Sequence, residues 1–135
     1  MSVRCLIVDD NPDFLRVASD LLSRSEINVV GVASTAAQAS QAYGELQPDV
    51  VLVDIGLGDE SGFDLAGQLG GRDDAGEPCV ILVSARSEED FIDMLADTPG
   101  VSFLAKNALS AAAVLGILAS ARGAPRHRRH REESR

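Results

Sequence analysis

Five short apolar runs, each followed by a helix-like segment, constrain this 135-residue chain more than any other feature. They are Arg4–Val8, Asn28–Val32, Val50–Val53, Cys79–Val83 and Val101–Ala105, nearly continuous in aliphatic residues. A strand with one wet face alternates apolar and polar residues, whereas a strand covered on both faces does not. Helical spacing is predicted near Pro12–Ser23, Ala36–Leu46, Gly62–Leu69, Glu88–Ala96 and Ser110–Ala121. Asn11 before Pro12 predicts an N-cap and a first helical position, and Thr35 and Ser87 predict caps for the second and fourth helices. Leu69–Pro78 predicts a flexible connection. The repeating β-α order predicts one α/β domain, a doubly wound (βα)5 unit around a five-stranded parallel sheet.

In such a sheet, ligands sit beyond the carboxyl ends of the strands. The first run breaks off at Asp9 and Asp10, and the third ends in Asp54. Ser84 closes the fourth, and Lys106, the only lysine, closes the fifth. Three carboxylates, a hydroxyl and an ammonium are therefore predicted to meet at one edge. Adjacent carboxylates at the end of a buried strand are costly without a counter-charge. A divalent cation with oxygen ligands relieves that repulsion, and a carboxylate can itself be a nucleophile toward phosphorus. An ammonium and a hydroxyl opposite it suit the charge spread over a transferring phosphoryl group. Phosphoryl transfer with a bound metal is the chemistry this set fits.

Charge narrows the partners. Residues 1–121 carry a net −13 and residues 122–135 a net +4. An acidic body disfavours duplex nucleic acid as a direct ligand, because that binding is largely phosphate neutralisation. The stretch "RGAPRHRRHREESR" has no apolar period and reads as a basic, solvated tail, so the domain is expected over 1–121 and the tail over 122–135. Cys5 and Cys79 lie in apolar runs without metal or redox spacing, which predicts buried, reduced thiols in a cytoplasmic protein. No signal-peptide pattern precedes "DDNPD", and Ser110–Ala121 is too short and Ala-rich to span a membrane.

Together, "LIVDDNPDFL", "PDVVLVDIGLGDESGFDL", "VILVSA" and "GVSFLAK" resemble, in order and spacing, the receiver domain of two-component response regulators. The resemblance runs from about Val3 to Ala121. It implies the CheY-like, flavodoxin-like fold with strand order 2-1-3-4-5. It implies that Asp54 accepts a phosphoryl group from a sensor histidine kinase or phosphotransfer protein. Mg²⁺ or Mn²⁺ would be held by Asp10 directly, Asp9 mostly through water, Asp54 and the Gly56 carbonyl. Ser84 and Lys106 would bind the phosphoryl oxygens, and Phe103 would rotate with Ser84 as the switch. The output surface would be the fourth helix, fifth strand and fifth helix, meeting a downstream protein or a second copy in a phosphorylation-dependent homodimer. The protein would act on its own phosphorylation and dephosphorylation, not on external substrates.

Two positions depart from the family. Gly58 stands where Pro is usual, four residues after Asp54, and gives the "GLGDESG" loop more backbone freedom. Asn107 follows Lys106 where Pro, often cis, is usual; a cis bond there would cost roughly 2.5–4 kcal/mol. A trans peptide with a rearranged loop, or a strained exception, is expected. A stand-alone receiver is the favoured organisation, and a receiver cut from a longer DNA-binding regulator is its rival. A hydrolase on a similar sheet is disfavoured: no P-loop or Gly-rich fingerprint follows the first strand, and Gly56 occupies the place of an aspartate phosphatase's second Asp.

Overall fold

The computed structural model describes residues 3–58, 60–70, 79–86, 91–93 and 101–123. Five parallel strands form one sheet: β1 (Val3–Val8), β2 (Ile27–Ala33), β3 (Val50–Asp54), β4 (Cys79–Ser84) and β5 (Val101–Ala105). Their spatial order is β2-β1-β3-β4-β5, and every pairing is parallel. The order reverses between β1 and β3, so a crevice opens where connections leave on opposite sides.

Both faces of the sheet are covered, as the continuous apolar runs require. Leu6, Val8, Val51, Val53 and Leu82 point to a layer closed by α2 (Ala36–Leu46) and α3 (Gly62–Gly70) through Ala39, Leu65 and Leu69. Their alternates Cys5, Ile7, Val50, Leu52, Ile81 and Val83 meet α1 (Pro12–Ser23) and the C-terminal helix (Ala111–Gly123) through Leu15, Leu22 and Val114. With no Trp in the chain, aliphatic side chains make up most of both layers, and Phe63 and Phe91 complete the first.

Local chemistry sets the helix starts. Asn11 Oδ1 accepts from the Asp13 and Phe14 backbone N–H groups, with Pro12 at the first helical position. Thr35 Oγ1 accepts from Gln38 N–H, and Gln38 Oε1 in return accepts from Ser34 N–H. The C-terminal helix runs to Gly123, two residues past the expected boundary; residues 124–135 lie outside the described residues. Of the helix expected over 88–96, only residues 91–93 are described, and they are helical; its predicted cap, Ser87, and most of the 69–78 connection lie outside the described residues.

A feature absent from the sequence-based expectation is a two-residue antiparallel ribbon, Gly56–Leu57 against Glu60–Ser61. It folds the segment after β3 back so that Gly62 N–H donates to Ile55 O at 2.8 Å. Cys5 is buried as expected, whereas Cys79 at the start of β4 is only partly buried, and the two form no disulfide. Val50 lies between them in register, so they are two strand spacings apart, about 9–10 Å and beyond disulfide reach. Burial pushes the Cys5 thiol up to about 12, which leaves it protonated and inert. Among the described residues, no helix is long and apolar enough to cross a membrane.

Gly62 has no room for a side chain. A Cβ there would lie 2.0 Å from Asp54 O and 2.8 Å from Ile55 Cα, both backbone atoms that cannot swing aside. Gly62→Ala is expected to cost about 1–3 kcal/mol or more by overpacking. Gly44→Ala is the control: a Cβ at this exposed site in α2 meets nothing within 4 Å. It should be neutral or stabilising by up to about 1 kcal/mol. Urea unfolding of the two variants checks both signs.

Candidate functional site

The crevice at the carboxyl edge collects the residues that the strand ends placed there. Asp9 follows β1 and Asp10 the next position, while Asp54 is the last residue of β3. One carboxylate oxygen from each of the three lies within 4.8 Å of the others. Asp9 is fully buried, Asp10 exposed and Asp54 in between. The burial follows from the sheet: β1 and β3 are central strands, and Asp9 N–H still donates to Ala33 O of β2 at 3.0 Å.

Lys106 reaches this cluster from the edge strand. Its Nζ lies 2.8 Å from Asp9 Oδ2 and 3.4 Å from Asp54 Oδ1, with only 22% of its side chain exposed. Asp9 Oδ1 accepts from Asn11 N–H at 2.8 Å. Asp9 Oδ2 is buried, and the Lys106 ammonium 2.8 Å away is its counter-charge. Burial works to lower the Lys106 pKa, but Asp9 and Asp54 outweigh it and the net shift is upward. Asp54 is pushed up to about 6, by burial first and by the Asp9 charge next, against the opposing pull of Lys106.

The donor set suits a divalent cation. Three carboxylates converge, one of them fully buried. Hard oxygen donors of this kind match Mg²⁺ or Mn²⁺. Gly56 is exposed at the start of the ribbon, two residues beyond Asp54. Gly58 takes the left-handed region at φ +62°, a conformation closed to Pro and strained for other L-residues, and a Cβ there would sit 3.5 Å from Asp10 Oδ2.

Ser84 is buried at the end of β4, one position beyond Val83, the register partner of Asp54. Its Oγ accepts from Arg86 N–H at 3.0 Å, which ties the hydroxyl into the turn after the strand. Phe103 is half-buried on β5 opposite Leu82 and packs, tilted, against Phe91 with ring centroids 6.1 Å apart. Phe91 in turn stacks on Phe63 at 5.8 Å and carries the Arg86 guanidinium over its face at 5.3 Å. Lys106–Asn107 is a trans bond, since the described residues contain no cis peptide, and Lys106–Ala108 form a 3-10 turn closed by Leu109 N–H to Lys106 O at 3.2 Å. The expected trans peptide with a rearranged loop is what the chain adopts.

Three aromatic neighbours escaped the sequence-based expectation. Phe14, in the first turn of α1, lies with its ring centroid 4.3 Å from Lys106 Nζ. Its place in the helix directly after the acid pair was the one available signal. Phe91 and Phe63 meet only through the tertiary fold.

The chain is similar to known proteins in both sequence and structure. It is 42% identical over 83 residues to the transcriptional regulatory protein KdpE of Mycobacterium tuberculosis, covering 62% of this chain and 35% of KdpE. It is 25% identical over 126 residues to the transcriptional regulatory protein LiaR of Bacillus subtilis, covering 92% of this chain and 58% of LiaR. The chain thus spans between about a third and three-fifths of these relatives' length. The NarL signal receiver domain from Mycobacterium tuberculosis superposes with a TM-score of 0.74 at 29% identity, over 90% of this chain and 98% of that one. The family model for the response regulator receiver domain matches residues 5–115, the span that carries all five strands and every carboxylate of the crevice, and the chain belongs to that family.

Proposed function

We propose that this chain is a phosphorylation-dependent switch in which Asp54 accepts a phosphoryl group from the phosphohistidine of a sensor histidine kinase or phosphotransfer protein. The observation that carries this reading is the convergence of Asp9, Asp10, Asp54 and Lys106 at one strand edge. An Asp54 carboxylate oxygen forms the new O–P bond as the P–N bond to the donor histidine breaks. Asp9, Asp10, Asp54 and the Gly56 carbonyl would hold a divalent cation, which would supply neutralisation of charge on the phosphoryl oxygens. Lys106 and Ser84 take the remaining oxygens, Ser84 by giving up its hold on the Arg86 N–H. Phe103 then turns inward and remodels the surface built from the segment around residues 91–93, β5 and the C-terminal helix. A downstream protein or a second copy of this chain reads that surface. The switch acts on its own phosphorylation and dephosphorylation and turns over no external substrate; its setting is the cytoplasm.

A stand-alone receiver is one organisation compatible with this reading. The rival, a receiver within a longer DNA-binding regulator, has support in the relatives: KdpE and LiaR are named transcriptional regulatory proteins, and this chain matches 35% and 58% of them. The length of the open reading frame decides between the two.

Incubation with Mg²⁺ and acetyl phosphate, read by intact mass, tests the central claim. A labile phosphoryl adduct is expected on the wild type and none on Asp54→Asn; an equal adduct on both would move the site elsewhere.

The raised Asp54 pKa makes a second, metal-linked prediction. Asp54 holds its proton to about pH 6 when folded, against 3.8 for the ordinary group, so ionising it costs stability. That cost is absent below about pH 4, grows through pH 4–6 and is complete above 6. Asp54→Asn should therefore stabilise the metal-free protein at pH 7.5 by on the order of 1–2 kcal/mol, allowing for solvent screening. The gain should fade as pH falls through 6. Added Mg²⁺ should raise the wild-type Tm at pH 7.5 and lose its effect toward pH 5, because the ligand must shed its proton. Thermal melts across pH, with and without Mg²⁺, read all of this.

Lys106→Ala leaves the buried Asp9 without its counter-charge. The metal-free protein should lose about 1–3 kcal/mol, part of it recovered by Mg²⁺. Phosphorylation should then no longer change partner affinity; normal switching in this variant would remove Lys106 from the mechanism.

A further inference from the structure

Lys106 is held from two sides, and only one of them is acidic. Asp9 and Asp54 draw its ammonium from the strand edge, with Asp9 the nearer at 2.8 Å against 3.4 Å. On another side, the Phe14 ring lies with its centroid 4.3 Å from Nζ. An aromatic face attracts a cation through its quadrupole, and more strongly where water is reduced. Lysine is a point charge on a flexible four-carbon stem, so nothing intrinsic fixes where Nζ sits. The 3-10 turn at Lys106–Ala108 sets the backbone only. Phe14 is well placed to set the rest: Pro12 and the Asn11 cap fix the first turn of α1, and Phe14 packs on the core layer beneath that helix.

We propose that Phe14 is a positioning residue that holds the Lys106 ammonium above Asp54 and keeps it from collapsing onto Asp9 alone. The inference rests on the role given to Lys106 in the proposed function. It adds a residue that touches neither the phosphoryl group nor the metal ligands and acts through the lysine. It also accounts for a lysine kept in place by a chain with Asn107 after it.

The protein carries a single lysine, so ¹³C-lysine labelling reports Lys106 alone. In the wild type its ε-methylene resonance should be shifted upfield by the Phe14 ring current. Phe14→Leu, which keeps apolar bulk and loses the π face, should abolish that shift and slow phosphorylation by acetyl phosphate and Mg²⁺ roughly two- to tenfold. Phe14→Trp should retain both the shift and the rate. Pentafluorophenylalanine at position 14 keeps the ring's shape while reversing its quadrupole. It should slow phosphorylation as Phe14→Leu does, a result that packing alone does not give.

An ε-methylene signal that is the same in wild type and Phe14→Leu overturns the inference. So does a phosphorylation rate that no variant changes. If the wild type takes no phosphoryl group at all, the proposed function falls and the positioning role falls with it. Normal phosphorylation beside an unshifted lysine signal removes this inference alone.

Discussion

The fully buried carboxylate of Asp9 is the constraint on which the site's architecture turns. A carboxylate sealed at the end of a central strand is tolerated only with a counter-charge or donors around it. One oxygen is supplied locally by the Asn11 N–H, in the same short stretch that caps α1. The other depends on Lys106, which arrives from β5, three strand positions away across β3 and β4. The cap of the first helix and the register of the last strand thus answer to one side chain. Asp54 lies beneath the path the lysine must take, and so an ammonium recruited to Asp9 is also delivered to Asp54.

That geometry sets up a competition. In the proposed function, Lys106 and a divalent cation would both seek the oxygens of Asp9 and Asp54, and three carboxylates within 4.8 Å repel one another without either. Metal bound at the exposed Asp10 side would leave the lysine free to favour Asp54 and whatever group Asp54 carried. The proposed switch needs two states with different contacts, and this edge would supply them in the choice of partners for one ammonium and for the Ser84 hydroxyl. The Phe63–Phe91–Phe103 cluster lies in the layer that Val80 and Leu82 face, the same side of the strand as Ser84 by alternation.

The strands were legible because parallel sheets covered on both faces demand continuous apolar runs, and four of the five runs here stop directly at a polar or charged side chain, Asp9, Asp54, Ser84 or Lys106. Helices α1 and α2 were legible from their caps, Asn11-Pro12 and Thr35. The C-terminal helix outran its expected end at Ala121 because the compositional change at Arg122 is one of charge, which a helix accepts, while Gly and Pro come only afterward. The ribbon at Gly56–Leu57 and Glu60–Ser61 left no periodic signal, being two residues on each side. The site's polar members could be placed from their strand ends, since register brings those ends together. Of its aromatic members, Phe103 came with its strand and the family resemblance, whereas Phe14 and Phe91 did not, because they lie on helical segments whose rotation is settled only by packing.

The two departures from the family pattern have related effects. Gly58 adopts a left-handed conformation that a Pro could not, and it leaves the approach to Asp10 open, with room for a Cβ only 3.5 Å from the carboxylate. Asn107 permits a 3-10 turn directly after β5, so Lys106 leaves the sheet through ordinary trans backbone. Both changes leave the segments that frame the site without proline rings, and Lys106 is steadied by the Phe14 side chain. Backbone pairing still fixes where the acids and the lysine begin. What differs in this chain is how their tips are held, and tips held by side-chain contacts respond to substitution at residues that never touch the reacting group.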